Sequence, residues 1–327
     1  MVSGGPLVQV GVVVLSVLGL WVGARFLVDA VVRLARRFGL SDLTIGLTIV
    51  AMGTSTPELA VSVDAALKGL GDIAIANVLG SNVYNLAFIL GVVSLIRVLP
   101  ITEALVHRDG LALLASTLLA GLVLLDGTVT RTEGAILVGV FVAYTAYLLR
   151  AEQSTTETAP ESPPEGAVTR AVTERVAFRG RDALLLVGGL ALVLVSGDFM
   201  VLAASALARG AGISEWVVGG TIVAAGTSTP EFAVSLVAIR RGSLGVSVGN
   251  VVGSNVYNVT GIVGVAALVR PLTVAGAAME TVLWLAGISL LMVAALWTGR
   301  VLSRVEGALF AASEMVRWAL GLLGVLG

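Results

Sequence analysis

The chain has 327 residues, of which 57% are hydrophobic and only 13% charged, with a net charge of −1 and a mean hydropathy of +1.01. Soluble domains do not reach these values, so the chain is read as a bilayer protein. It contains no cysteine, which excludes disulfides, thiolate metal centres and cysteine nucleophiles. The net charge identifies no partner, and no nucleic acid is expected.

Crossing about 30 Å of hydrocarbon takes roughly 20 helical residues. In chain order, apolar runs of that size fall at 7–32, 43–67, 73–96, 109–125 and 133–149, then at 183–208, 215–239, 246–269, 279–297 and 305–326. The expected fold is an all-α integral membrane protein with ten transmembrane helices. No basic residue precedes the first run, which also exceeds the apolar core of a signal peptide, so it is expected to be retained. Residues 151–181 are rich in Ser, Thr, Pro and Glu and are too few to bury a core; they read as a linker between 1–150 and 182–327. Fourteen arginines lie in the loops after spans 1, 3, 5, 7 and 9, against four basic residues, Lys68, Arg131, Arg209 and Arg270, on the opposite side. Basic loops stay cytoplasmic, which puts the linker in the cytoplasm and both termini outside, in the plasma or inner membrane.

The halves repeat each other. Adding 173 to a position aligns residues 46–91 with 219–264 without a gap, and 26 of those 46 positions are identical. The same offset pairs Arg97 with Arg270, and Arg131 and Glu133 with Arg304 and Glu306. Each copy holds five spans, an odd number, so the second copy must enter the membrane from the other side. Inverted five-helix repeats are a transporter architecture, with substrate sites near the midplane where the copies meet.

The segments most alike between copies are unusual for membrane helices. Gly53 to Glu58 and Gly226 to Glu231 both read GTSTPE in mid-span. Pro57 and Pro230 have no N–H for the carbonyls of Gly53 and Gly226, so each helix must kink or break and free carbonyls for a cation. Glu58 and Glu231 follow the prolines. A mid-membrane carboxylate costs at least ~2.5 kcal/mol without a partner, no basic residue lies near in either span, and a cation fits. Thr54 with Glu58, Ser81 with Asn85, Thr227 with Glu231 and Ser254 with Asn258 are each four apart, on one helix face. Oxygen ligands without His or Cys suit Ca²⁺ and Na⁺ rather than Zn²⁺ or copper. Gly53, Gly80, Gly226 and Gly253 read equally well as packing positions, and Ser62, Ser235, Asn77, Asn82, Asn250 and Asn255 as structural hydrogen-bonding residues. Arg25 and Asp198, equivalent under the offset, are candidates for a mutual ion pair, Glu314 and Arg317 for another, and Asp64 reads as a mouth residue.

Paired GTSTPE and GSNVYN segments in a duplicated ten-helix chain resemble the α-repeats of the cation/calcium exchanger superfamily, most closely its prokaryotic sodium/calcium exchangers. The resemblance implies a Ca²⁺/Na⁺ antiporter working by alternating access, with spans 1 and 6 sliding on a rigid remainder and no cofactor beyond the transported ions. It implies four cation positions. Glu58 and Glu231 share the Ca²⁺ position with backbone oxygens of Thr54 and Thr227. One Na⁺ position takes Glu58, Ala224, Thr227, Ser228 and Ser254, the other Glu231, Ala51, Thr54, Ser55 and Ser81. Asn85 and Asn258 face a middle position where relatives commonly carry an aspartate; the K⁺-dependent branch uses acidic residues there, which argues against K⁺ coupling. The rival reading is a Ca²⁺/H⁺ exchanger, since two glutamates also accept two protons. A channel fits inverted gates poorly, and an enzyme lacks a nucleophile beside a base. Oligomeric state is not legible.

Overall fold

The computed structural model describes residues 5–35, 42–100, 105–157, 180–240, 244–274, 276–299 and 301–324. Ten helical spans run through them. Span 1 is Pro6–Ala35; span 2 runs from Asp42 to Lys68 with a break at Ser55; span 3 is Gly71–Ile96; span 4 runs from Leu105 to Val123; span 5 is Arg131–Glu157. Span 6 is Gly180–Ala211, span 7 Glu215–Arg240 with a break at Ser228, span 8 Leu244–Val269, span 9 Ala277–Gly299 and span 10 Arg304–Leu322. Seven of these helices, spans 1, 3, 5, 6, 7, 8 and 9, are by themselves long and apolar enough to cross a membrane. The other three carry more charge: span 2 has Asp42, Glu58, Asp64 and Lys68, span 4 opens on His107, Arg108 and Asp109, and span 10 carries Arg304, Glu306, Glu314 and Arg317.

Local chemistry sets the ends. Span 2 stops at Gly69, whose φ of +77° suits a residue without Cβ, and Leu70 N–H closes on the Ala65 carbonyl at 2.8 Å. Span 10 opens on a capping box: Ser303 Oγ accepts the Glu306 N–H, and Glu306 Oε2 accepts the Ser303 N–H at 2.8 Å. Thr130 and Glu133, 173 residues earlier, make the same pair of bonds at span 5. Span 5 runs on to Glu157, so the first residues of the segment read as a linker are helical; its remainder, 158–179, lies outside the described residues.

The pseudo-twofold is visible in two short antiparallel ladders. Leu99–Pro100 pairs with Val301–Leu302, and the equivalent Leu272–Thr273 pairs with Thr128–Val129. Each ladder joins one repeat to the other. The two repeats also cross in the core: span 3 packs on the first part of span 7, and span 8 on the first part of span 2. The helices approach with backbones nearly touching. A Cβ on Gly80 would stand 2.5 Å from the Gly220 carbonyl oxygen, and one on Gly253 would stand 2.3 Å from that of Leu47. Packing is therefore the reading that holds for Gly80 and Gly253.

Spans 1 and 6 pack chiefly on each other, beside this four-helix core. Outward positions such as Leu15, Leu118, Val142, Leu184, Leu290 and Leu309 are exposed, an apolar coat suited to lipid. The core is the reverse: Glu58, Glu231 and most Asn, Ser and Thr side chains of spans 2, 3, 7 and 8 are buried, Thr56 and Thr229 being partly exposed.

Candidate functional site

The GTSTPE segments break as their prolines require. Ser55 sits at φ −81°, ψ 12°, Ser228 at φ −81°, ψ 8°, and a new helix starts at Thr56 and at Thr229. The carbonyls of Gly53 and Gly226, expected to be free, each accept an N–H in the capping turn. The bonds across the break are Ser55 N–H to the Ala51 carbonyl at 2.9 Å and Leu59 N–H to that of Ser55 at 3.1 Å, with Ser228, Ala224 and Phe232 repeating the pattern. Helical bonding resumes only from the Ser55 and Ser228 carbonyls, with the new helices starting at Thr56 and Thr229, so the carbonyls of Thr54 and Thr227 are the oxygens the break releases.

Two π-helical turns, Gly46–Val50 and Gly219–Val223, precede the GTSTPE segments, and two more, Tyr84–Ile89 and Asn258–Val263, carry Asn85 and Asn258 in spans 3 and 8. Such turns widen a helix by a residue and commonly mark functional sites. Those before GTSTPE sit where the partner repeat's span 3 or 8 presses in.

The two breaks face each other. Ser228 Oγ donates to Glu58 Oε1 at 2.8 Å, and Ser55 Oγ donates to Glu231 Oε1 at 2.7 Å. Each carboxylate is thus held by the opposite repeat, and since Ser55 and Glu58 share one turn, the two acids are brought together at the centre. All four side chains are fully buried. Ser254 Oγ lies 2.9 Å from Ser55 Oγ, 3.4 Å from Glu231 Oε1 and 3.5 Å from the Ala51 carbonyl. Ser81 Oγ lies 3.4 Å from the Ala224 carbonyl and 3.5 Å from Thr227 Oγ1.

These contacts reverse one expectation. Ser254 joins Glu231, Ser55 and Ala51, not Glu58; Ser81 joins Ala224 and Thr227, beside Ser228 and Glu58. The cause is the crossed packing, which turns each span 3 or span 8 serine toward the opposite repeat's break.

Around this centre lies a bonded shell. Thr54 Oγ1 donates to Asn250 Oδ1 at 2.9 Å, and Thr227 Oγ1 to Asn77 Oδ1 at 3.1 Å. Asn77 Nδ2 donates to Ser62 Oγ at 3.0 Å and to the Glu58 carbonyl, and Asn250 Nδ2 donates to Ser235 Oγ and the Glu231 carbonyl at 3.4 Å. The structural role read for Ser62, Ser235, Asn77 and Asn250 holds.

Among the described residues Ser247 Oγ, near the start of span 8, is a lone orphan, while at this centre four oxygens stay without a hydrogen-bond partner: Glu58 Oε2, Glu231 Oε2, Asn85 Oδ1 and Asn258 Oδ1. They form two pairs equivalent under the 173-residue offset. Buried polar atoms are nearly always satisfied, so a symmetric set of orphaned acceptors calls for a cation or water. Among the described residues no cluster of three or more His, Cys, Asp or Glu side chains occurs, which leaves this oxygen-only set.

The other charges are paired elsewhere. Asp198 pairs with Lys68, which also binds Asp64, and Arg25 lies 6.0 Å over the Trp21 ring, so Arg25 and Asp198 do not pair. Arg317 and Glu314 do, at 2.6 Å, and Arg317 Nη2 also donates to the Gly220 carbonyl at 2.9 Å.

Inverted repeats, two broken helices and a buried carboxylate pair with orphaned oxygens define a membrane-embedded secondary transporter. The chain belongs to the sodium/calcium exchanger protein family, matching it over residues 8–150 and 182–313. It is 34% identical to the putative antiporter CaxA of Alkalimonas amylolytica over 313 residues, 92% of this chain and 93% of that one. With the sodium/calcium exchanger MaX1 of Methanosarcina acetivorans identity is 29% over 315 residues, 87% of this chain and 90% of that one. Among solved structures it is similar to the sodium-calcium exchanger NCX_Mj soaked with Na⁺ and Sr²⁺, with a TM-score of 0.70 at 29% identity over 96% of this chain and 99% of that chain.

Proposed function

We propose that this antiporter exchanges Ca²⁺ for Na⁺ at the two broken helices, with Glu58 and Glu231 supplying the charge. The orphaned oxygens of the two carboxylates and of Asn85 and Asn258 carry this reading. Two carboxylates balance one Ca²⁺ or two Na⁺. Ca²⁺ takes six to eight hard oxygen ligands, which the freed Thr54 and Thr227 carbonyls and the two glutamates begin to supply.

Flanking Na⁺ positions follow the corrected grouping. Glu58, Ser228, Thr227, Ala224 and Ser81 make one; Glu231, Ser55, Thr54, Ala51 and Ser254 make the other. Each set draws on both repeats, so movement of spans 1 and 6 against the core opens one set to one compartment while the other stays covered. The arginine distribution supports both termini outside and residues 151–181 in the cytoplasm as a linker between halves 1–150 and 182–327, its first residues continuing the span 5 helix to Glu157.

The test is radiolabelled Ca²⁺ uptake into proteoliposomes loaded with Na⁺, against Na⁺-free vesicles with an imposed pH gradient. Uptake that follows the Na⁺ gradient and is lost in Glu58→Gln and Glu231→Gln supports the reading. Uptake driven by the pH gradient alone would make the protein a Ca²⁺/H⁺ exchanger.

A further inference from the structure

Asn82 and Asn255, equivalent under the repeat, are buried beside the centre. Each donates its side-chain Nδ2 to the other's main-chain carbonyl, Asn82 to Asn255 at 3.0 Å and Asn255 to Asn82 at 3.1 Å. A main-chain carbonyl only accepts, so these two bonds settle which end of each amide is nitrogen. Their Oδ1 atoms must then act as acceptors.

Each Oδ1 receives an amide from the opposite repeat. Asn258 Nδ2 donates to Asn82 Oδ1 at 2.9 Å, and Asn85 Nδ2 donates to Asn255 Oδ1 at 3.1 Å. With the nitrogen ends engaged, Asn85 and Asn258 present their oxygen ends, and both of these oxygens are left without a hydrogen-bond partner. Four amides thus form a chain in which two backbone carbonyls dictate the orientation of two buried, unpartnered ligand atoms. The coupling is crosswise: Asn82 orients Asn258 and Asn255 orients Asn85, although Asn82 and Asn85 lie three apart on one helix.

We propose that Asn82 and Asn255 are positioning residues that hold Asn85 and Asn258 as a pair of uncharged carbonyl ligands, so that the middle of the site binds Na⁺ through amide dipoles alone. An amide neither carries charge nor takes up a proton in the physiological range. A cation in the middle therefore draws charge only from Glu58 and Glu231, and Asn82 and Asn255 act without touching it. This rests on the reading of Asn85 and Asn258 as cation ligands.

The experiment is Na⁺-dependent Ca²⁺ exchange by the full chain in proteoliposomes, recording the half-saturating Na⁺ concentration and the maximal rate. The variants are the single alanine substitutions at Asn82, Asn85, Asn255 and Asn258 and three doubles: Asn82→Ala with Asn258→Ala, Asn255→Ala with Asn85→Ala, and Asn82→Ala with Asn85→Ala. Each single is expected to raise half-saturating Na⁺ about tenfold, with a smaller fall in maximal rate, within the range of coupling between contacting residues. In the two crosswise doubles the second substitution adds little, because its target is already lost. In the double on span 3 the effects multiply to about a hundredfold.

Crosswise doubles as severe as the span 3 double would overturn the inference, as would single Asn82 and Asn255 variants that lower stability while Na⁺ half-saturation stays put. If Asn85→Ala and Asn258→Ala themselves leave Na⁺ dependence unchanged, the ligand reading fails first and takes the inference with it. The two crosswise arms are independent, so either suffices if the other does not yield folded protein. Asn82→Ser and Asn255→Ser, which keep a small polar side chain, replace the alanine variants if those are not monodisperse in detergent.

Discussion

Replacing Glu231 by glutamine removes one of the two central charges while keeping the side chain's size and one acceptor oxygen. Glu231 Oε1 accepts from Ser55 at 2.7 Å, and Oε2 has no protein partner, so the loss falls on whatever the orphaned oxygen binds. At a Ca²⁺–oxygen distance of about 2.4 Å and an effective dielectric constant of about 20, one carboxylate attracts a divalent ion by roughly 14 kcal/mol before desolvation. Desolvation offsets most of that, and breaking a buried charge pair costs a net of about 3–5 kcal/mol. Apparent Ca²⁺ affinity is therefore expected to fall roughly 150- to 5,000-fold, at 1.36 kcal/mol per factor of ten. The assay is thermal unfolding of the purified protein in detergent across a Ca²⁺ series. At a Ca²⁺ concentration a hundred times the unmodified protein's Kd, binding stabilises that protein by about 2.7 kcal/mol, and Glu231→Gln should show little or no shift there. Without cations the sign reverses, since two buried carboxylates repel each other, and the variant should melt higher than the unmodified chain. A Ca²⁺ response within threefold of the unmodified protein's would refute the assignment of Glu231 to the site, and Glu58→Gln gives the same test by symmetry.

Ser228→Ala and Ser55→Ala each strip one hydrogen bond from a buried carboxylate. Losing a partner of a buried charged group costs about 1–3 kcal/mol, so half-saturating cation concentrations in flux assays should rise roughly 5- to 150-fold. Gly253→Ala forces a Cβ to within 2.3 Å of the Leu47 carbonyl oxygen and should destabilise by about 1–3 kcal/mol, whereas Gly139→Ala meets nothing within 4 Å and should be neutral or slightly stabilising in the same melts. Glu314→Gln leaves buried Arg317 without its ionic partner and should cost about 3–5 kcal/mol. Lys68→Gln breaks two partly exposed ion pairs, to Asp64 and Asp198, and should cost at most about 1–2 kcal/mol, a contrast read in one thermal series.

Sequence reasoning reached the ten spans because a hydrocarbon slab imposes length and apolarity directly on the chain, and it reached the inversion because five spans per copy leave no other arrangement. Glu58, Glu231 and the breaks at GTSTPE were legible for a similar reason: a mid-membrane acid and a helix-breaking proline are each costly in isolation, so their repetition at a fixed offset marks them. The span ends were less legible, since helical hydrogen bonding continues past the apolar run, as at Glu157. The release of the Thr54 and Thr227 carbonyls in place of those of Gly53 and Gly226 depended on how the capping turn closes, which residue order alone does not state.

Pairing between the copies was beyond the sequence altogether. Equivalent residues look alike, so nothing local says whether Ser81 serves Glu58 or Glu231, whether Asp198 meets Arg25 or Lys68, or which asparagine orients which. The crossed packing of span 3 on span 7 and span 8 on span 2 decides the serines and asparagines, by bringing backbones within reach at Gly80 and Gly253, and the packing of span 6 on span 2 decides the Asp198 pairing. The sequence by itself determined which groups are present, their net charge and their duplication, because those follow from composition and chain order. The tertiary structure decided which group faces which, because hydrogen bonds reach only about 3 Å and contacts that short are set by the docking of the two halves.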